Sequence, residues 1–295
     1  MNRFKHLIKH TLMVLVPAAI MLISACEPEV VTTIDLPEED PMLAISAYLL
    51  PSNAAHNVFI GKSKPNNKPT DSYWEVENAV VTVSDGLKSV TLKNMGGGYY
   101  SFLQTDLEVL HGMTYHITAY APGFAKVARG TCTVPDDFDP QVQVIAFDSV
   151  VLQDSRKYSL DFKFRDVPGE GDCYRVYVRF KMYSYIEQDT STWTPWSNQA
   201  KYKLFTDKGV DGEWFNIKLS ITNSTIWDSE RYPVGYEIVI MRVDEHYYKF
   251  HYPFVVYDYY PDDNPFAEPF IIYSNIENGY GIFAAAIEKK YLFNL

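Results

Sequence analysis

Short runs of apolar or alternating residues, separated by turn-forming clusters, fill the chain between residues 41 and 135. Each run has about 5–9 residues, the usual length of a strand, and no helical period intervenes. Asp85-Gly86 is a strong signal for a two-residue hairpin turn. This pattern predicts a β-sandwich of immunoglobulin or transthyretin type over residues 42–135. The predicted strands are 43–50, 58–62, 79–84, 89–93, 99–103, 115–121 and 126–134.

A second β-rich region follows residues 135–140, where two prolines and three acidic residues interrupt the pattern and predict a domain boundary. Longer alternating segments predict an antiparallel domain over 136–295, so the fold class is mainly β. One short helix is expected over 244–250, with Asp244 as its N-cap, and it would extend towards Tyr257 only if Pro253 is tolerated as a kink. The predicted strands are 142–152, 158–165, 173–185, 201–206, 214–221, 236–243 and 280–287.

Residues 1–25 have the features of a lipoprotein signal peptide. Three basic residues precede an apolar run over 11–23, which is shorter than the roughly 20 residues of a spanning helix. Ser24-Ala25-Cys26 then places small residues directly before a cysteine, so we expect cleavage before Cys26 and lipidation of its thiol. The alternative is an ordinary cleaved signal with a cysteine near the cut by chance.

Residues 26–41 predict a tether between the lipid and the folded body, because they are acidic and contain three prolines. Glu27 and Glu29 resemble the acidic export signal that directs lipoproteins of Bacteroidota-type cells to the outer face of the outer membrane. They are equally explained as solvated residues of a tether.

Charge and cysteine usage restrict the possible partners. The net charge is −11, and it becomes 23 − 37 = −14 once the three basic residues of the leader are removed. Such a surface disfavours nucleic acid and anionic lipid, so membrane contact is expected through the anchor alone. Cys132 and Cys173 lie in strand-like runs, and we expect two buried free thiols rather than a disulfide or a nucleophile.

Two pairs of aromatic residues are candidates for contact with a ligand or partner. Tyr73 and Trp74 end a long polar segment, and Trp193 and Trp196 lie three apart in a polar, proline-containing stretch. Exposed rings can stack on sugar faces or dock on another protein. The alternative is that Tyr73 and Trp74 cap the end of the sandwich, and that Trp193 and Trp196 pack beneath their loop as a satellite cluster.

The sequence contains no recognisable catalytic or cofactor motif. Nucleophile-elbow, zinc-protease, Walker and dinucleotide patterns are all missing, and His246 and His251 do not share a helix face. Asp207-Lys208-Gly209-Val210-Asp211-Gly212 partly resembles a calcium loop, but it lacks a third carboxylate and a closing glutamate. We therefore expect a polar turn there, and a protein that is not an enzyme and has neither cofactor nor metal.

Several motifs resemble the Bacteroidota lipoprotein family of domain of unknown function 4249. The most specific is the stretch from Glu268-Pro269-Phe270 to Ile282-Phe283-Ala284, and five further motifs occur in the family's order. Pro253 departs from the pattern, because it falls where a more regular helix is expected. The five motifs are Glu77-Asn78-Ala79-Val80-Val81, Gly98-Tyr99-Tyr100, residues 166–176, Phe205-Thr206-Asp207 with Asp211-Gly212, and Tyr247-Tyr248-Lys249.

The resemblance implies an outer-membrane lipoprotein, often encoded beside a TonB-dependent transporter, and it supplies no catalytic residues. Within the closing motif, Asn275 and Glu277 could contact a ligand, or Asn275 could satisfy nearby backbone groups while Asn278 forms a turn. Three functions are open: an accessory subunit for nutrient uptake through such a transporter, a surface glycan-binding or adhesive module, and an unrecognised hydrolase. We favour the first, with a glycan or small nutrient as ligand.

Overall fold

The computed structural model describes residues 40–63, 74–151, 155–190, 193–194, 203–224, 231–256 and 271–294. Asp40–Leu295 forms one compact unit. The leader, Cys26, Glu27, Glu29, Tyr73 and Trp196 lie outside the described residues, and for Trp193 only the backbone is described. The predictions about these residues therefore stay predictions.

The described residues form three sheets, and the mainly β fold predicted from the sequence is confirmed. The largest has the order β12-β11-β15-β17-β1-β2-β6-β5, with β13 also paired to β11. A second has the order β16-β8-β7-β3-β4, and a third has the order β14-β10-β9. The strands from the first half of the body are β1 (Leu43–Leu49), β2 (Ala55–Lys62), β3 (Val80–Ser84), β4 (Ser89–Thr91), β5 (Lys93–Gly96), β6 (Tyr99–Leu103), β7 (Thr114–Tyr120) and β8 (Ala128–Thr133).

The later strands are longer and follow the chain from residue 143 onward. They are β9 (Gln143–Val151), β10 (Ser155–Arg165), β11 (Cys173–Ser184), β12 (Trp193–Thr194), β13 (Lys203–Thr206), β14 (Trp214–Ser224), β15 (Arg231–Val243), β16 (Ile276–Glu277) and β17 (Gly279–Asn294).

The strands alternate buried and exposed residues, so each sheet has one apolar face. These apolar faces meet, and the core lies between the sheets. In β11 this alternation continues over nearly the whole strand, with Val176, Val178 and Phe180 buried. One continuous hydrophobic cluster includes residues of all three sheets, for example Val58, Ile117 and Phe162. Sheets that are apolar on one face are stable only when that face is covered, and here they cover one another.

Strand β17 joins the parts of the large sheet. Its first half pairs with β1 in parallel, from Leu43 opposite Gly279 to Leu49 opposite Ala285. Its second half pairs with β15 in antiparallel, from Val243 opposite Ala286 to Gly235 opposite Asn294. Strands from both sides of the predicted boundary at residue 135 therefore belong to one sheet.

Gly281 makes the β1–β17 pairing possible. Its φ of +107° is unfavourable for other residues, and a side chain there would overlap the backbone of Ile45 on β1. The close approach of these two strands therefore requires a residue without a side chain at this position.

Helix α1 (Glu245–Val256) begins where the sequence predicts. Pro253 lies within it, so the helix has the longer of the two predicted extents. Asp244 is its N-cap: one carboxylate oxygen accepts the N–H of Tyr247 at 2.8 Å, and the other accepts the N–H of Ala285 on β17 at 3.0 Å. Burial raises the pKa of the Asp244 carboxyl to about 7. The same side chain thus starts the helix and fixes it to the sheet.

The hairpin between β3 and β4 differs in detail from the two-residue turn predicted at Asp85-Gly86. Ser84 pairs with Ser89, so the loop has four residues. The carboxylate of Asp85 accepts the N–H groups of Leu87 and Lys88 at 2.9 and 2.6 Å. Because an aspartate can satisfy two loop N–H groups in this way, the wider loop is stable. Gly86 supplies the positive φ that the sequence indicated.

Candidate functional site

A polar groove of about 300 Å3 lies on the outer face of the five-stranded sheet, beside the start of α1. It combines residues from four separate parts of the chain, of which the sequence indicated only Asn275 and Glu277. Its lining residues are His116, Ile117, Thr118, Arg129, Gly130, Thr131, His246, Asn275 and Glu277.

The strand alternation explains how the polar residues reach the groove. In β7 and β8 every second residue is buried, and the residues between them point away from the core. The outward-facing residues include His116, Thr118, Arg129 and Thr131. His116 is opposite Thr131, and Nδ1 of its ring lies 3.0 Å from the threonine hydroxyl. Glu277 on β16 is opposite Arg129 on β8. The groove therefore presents charged groups of both signs beside hydroxyl and imidazole groups.

His246 closes one side of the groove at the first turn of α1. Its Nδ1 lies 2.7 Å from the hydroxyl of Tyr273, and the two rings are stacked. Burial lowers the pKa of His246, against the opposing effect of the neighbouring Glu245 carboxylate. At neutral pH this ring is neutral, so it acts as a hydrogen-bonding group rather than a cation.

Asn275 has a structural role at the base of the groove. Its amide accepts the N–H of Phe283 at 3.0 Å and donates to the carbonyl oxygen of Phe283 at 2.7 Å, as a neighbouring strand would. It also donates to the carbonyl oxygen of Thr131 on β8 at 3.0 Å. These bonds agree with the interpretation that Asn275 satisfies backbone groups. Of the two candidate contact residues in the motif, Glu277 is the exposed one.

Replacing Asn275 with aspartate should lower the free energy of unfolding by about 2–3 kcal/mol, because two carbonyl oxygens would then face a carboxylate that cannot donate. Urea unfolding followed by fluorescence measures the change. The matched control is Asn57→Asp, since Asn57 is exposed on β2 and the substitution adds the same charge. Equal stability of the two variants would contradict the structural role of Asn275.

A cluster of carboxylates lies at the loops before β11 and after β13. One oxygen each of Asp166, Asp207 and Asp211 lies within 4.8 Å of the others, and Asp166 and Asp207 are buried. The sequence showed only Asp207 and Asp211, so Asp166 is the third carboxylate that the calcium-loop comparison lacked. Oxygen ligands of this kind suit calcium or magnesium.

Hydrogen bonds within the protein already use this cluster. Asp207 accepts the N–H groups of Gly171 and Asp172 at 2.8 and 3.0 Å. Asp166 accepts the hydroxyl of Tyr174 at 2.6 Å and the N–H of Gly212 at 2.9 Å. These contacts join the two loops, which agrees with the polar turn that the sequence predicts.

The remaining predicted residues lie elsewhere. Trp74 is exposed on the outer face of the large sheet, beside Phe59. Cys132 and Cys173 are buried free thiols, as expected from the sequence. Burial raises the pKa of both thiols, that of Cys173 to about 12, so neither is a thiolate at neutral pH.

The fold and the groove together define a mainly β protein with packed sheets and an open polar surface site. The family model described as "Domain of unknown function (DUF4249)" matches residues 31–291, and the chain belongs to this family. The resemblance seen in the closing motif is thereby confirmed. In the described part of the chain no helix has the length and apolarity needed to cross a membrane.

Similarity to solved structures is distant. The FN1–FN3 domains of chicken CNTN1 match with 11% identity and a TM-score of 0.27. The match covers 71% of this chain and 62% of the CNTN1 chain. Escherichia coli alpha-2-macroglobulin activated by porcine elastase matches with 15% identity and a TM-score of 0.22, over 69% of this chain and 18% of that one. A DUF3823 family protein from Parabacteroides merdae matches with 10% identity and a TM-score of 0.17, over 70% and 92% of the two chains. No curated protein matches this chain in sequence.

Proposed function

We propose that this protein is a lipid-anchored accessory of the bacterial outer membrane that binds a polar nutrient at the cell surface and works with a TonB-dependent transporter. The observation that carries the proposal is the leader, in which a short apolar run ends at Ser24-Ala25-Cys26. Several acyl chains on one cysteine would form a stable anchor, since each buried methylene contributes about 0.8 kcal/mol.

The polar groove supports a binding role. Arg129 and Glu277 offer charges of both signs, and Thr118 on β7 and Thr131 on β8 line the same groove. Sites of this kind hold small polar molecules by a few directed hydrogen bonds. Asn275 is occupied with backbone groups, and His246 is held by Tyr273, so these two residues position the groove.

Membership in a family whose members are often encoded beside TonB-dependent transporters supports the proposed partner. The net charge of −14 after cleavage supports anchoring through lipid rather than through electrostatic contact with anionic headgroups. In this proposal the protein binds the nutrient and does not catalyse a reaction.

Metabolic labelling with a fatty-acid probe, followed by pull-down in mild detergent and mass spectrometry, tests the proposal. We expect the label on the mature chain that starts at Cys26, and a β-barrel transporter among the co-purified proteins. Cys26→Ala should lose both, whereas Cys132→Ala, which removes a buried thiol, should keep both. A labelled protein without a barrel partner would contradict the transporter role, and an unlabelled one would contradict the anchor.

A further inference from the structure

Three aromatic rings form an exposed cluster on the outer face of β2 and β6, far in the sequence from the residues of the groove. The ring of Phe59 lies 5.1 Å from that of Trp74 and 5.1 Å from that of Tyr99, measured between centroids. Trp74 is 47% exposed and Tyr99 is 53% exposed, whereas Phe59 is half-buried between them. The three rings therefore form one exposed aromatic surface, with Phe59 between the other two.

Two glycines allow the rings to lie directly on the sheet. A Cβ atom on Gly61 would come within 3.1 Å of the Phe59 ring and 3.4 Å of the Trp74 ring. A Cβ atom on Gly98 would come within 3.0 Å of the Phe59 ring. The backbone of Trp74 is held at the same place, because its carbonyl oxygen accepts the N–H of Lys62 at 2.8 Å. The cluster is therefore preorganised.

Polar side chains surround the rings. The next row across the sheet consists of Asn57, Ser101 and Lys93, which are opposite one another on β2, β6 and β5. Trp74 is followed by Glu75, and beyond Val76 by Glu77, whose carboxylate accepts the N–H of Gly97 at 2.9 Å. The rings thus lie beside hydrogen-bond donors and acceptors, and the Glu77 carboxylate lies at the turn that precedes Tyr99.

We propose that Trp74, Phe59 and Tyr99 form a binding site for a neutral carbohydrate. The C–H faces of a sugar ring would pack on the exposed rings of Trp74 and Tyr99, while its hydroxyl groups bond to the surrounding polar side chains. The Glu75 and Glu77 carboxylates would repel acidic sugars. This site deepens the proposed function, because it names the class of molecule that the protein would hold at the cell surface.

A protein partner fits this surface less well. Stable protein interfaces bury about 800 Å2 on each side, and their centres contain few charged residues. Among the described residues, charged groups border this surface: Lys93 lies in the polar row opposite Ser101, and the Glu77 carboxylate accepts the N–H of Gly97. An alternation of rings and polar groups over a small area is what a sugar chain requires.

Calorimetric titration of the full-length protein in detergent with maltohexaose, cellohexaose, mannohexaose and tri-galacturonate tests this site. At least one neutral oligosaccharide should bind saturably at millimolar or lower concentration, and tri-galacturonate should bind more weakly than that oligosaccharide. Trp74→Ala and, separately, Tyr99→Ala should each weaken binding by about tenfold or more, as is common for stacked rings at binding hot spots. Tyr120→Ala is the matched control, since Tyr120 is 48% exposed on another sheet, and it should bind as the parent does.

Circular dichroism of each variant establishes that the body is folded. Lack of binding to every neutral oligosaccharide, or equal weakening by Tyr120→Ala, would overturn the carbohydrate site. If Trp74→Ala instead removes a co-purified protein and changes no sugar affinity, the surface is a protein contact and the inference fails. Because labelling of Cys26 and capture of a barrel are measured separately, either proposal can fail without the other.

Discussion

Substitution of Gly281 by alanine is expected to lower the free energy of unfolding by at least about 4 kcal/mol, a large part of the 5–15 kcal/mol typical of a folded protein. Two effects add at this position. The φ of +107° is strained for alanine. The new Cβ would also overlap the carbonyl oxygen of Ile45 and come within 3.0 Å of its carbonyl carbon, so β1 and β17 could not keep their spacing. Urea unfolding followed by circular dichroism measures the loss.

Gly171→Ala is the control for the first effect alone. Gly171 has a φ of +110°, and a Cβ there would meet nothing within 4 Å. We expect a loss of about 1–2 kcal/mol in this variant, from backbone strain only. If Gly281→Ala is no less stable than Gly171→Ala, then the close approach of the two strands does not constrain this position.

Replacing Arg242 with methionine should lower the free energy of unfolding by about 3 kcal/mol or more at neutral pH, because it leaves the buried carboxylate of Asp172 without its counter-charge. The Arg242 guanidinium donates through Nε to the carboxylate of Asp172 at 2.9 Å and through a second nitrogen at 2.5 Å. It also donates to the carbonyl oxygen of Asp136 at 3.0 Å. Thermal and urea unfolding of the parent and the variant, each followed across pH, measure the difference.

The pH dependence of this loss has a defined sign. Burial raises the pKa of Asp172 above its unfolded value, although Arg242 opposes the shift. Without Arg242 the folded-state pKa rises further, so the folded variant takes up a proton more readily than the unfolded chain. The stability deficit should therefore shrink as the pH falls from neutral to about 5.

Lys218→Met provides the comparison for this ion pair. Lys218 lies 3.2 Å from Asp161, but its side chain is 81% exposed. An exposed pair of this kind contributes about 0–1 kcal/mol, and its loss should be nearly independent of pH. A deficit in Arg242→Met that is as small as that of Lys218→Met, or that grows on acidification, would contradict the account given for Asp172.

The sequence predicts the strands well, because apolar and polar residues alternate in a strand that has one buried face and one face in water. The alternation at 173–185 predicts β11, and observed β11 ends one residue earlier. The sequence does not predict which strands become neighbours. Half of β17 lies beyond the predicted strand 280–287, and its parallel pairing with β1 depends on contacts between distant segments. A local pattern carries no information about such pairings.

The same reason limits prediction of the sites. Asn275 and Glu277 stand out because they lie in a recognisable motif, whereas His116 and Arg129 are ordinary polar residues of alternating strands until register brings them to one groove. Asp166 lies 41 residues before Asp207 in the sequence, and only the folded loops bring the two carboxylates together. Of the aromatic cluster, the sequence indicated only Trp74 as a candidate contact. Gly61 and Gly98 were a further signal for it, since a glycine within or beside a strand often marks close packing.

The pairing of β1 with β17 has a consequence for how the protein is made. Leu43 is opposite Gly279, so a chain that emerges from the ribosome or a translocon in the direction of synthesis must wait for almost the entire body before β1 gains this neighbour. During that interval an apolar strand has one edge open to other chains. Helper proteins that shield nascent polypeptides would act on that edge, and the slow step of maturation would be the arrival of the terminal strand.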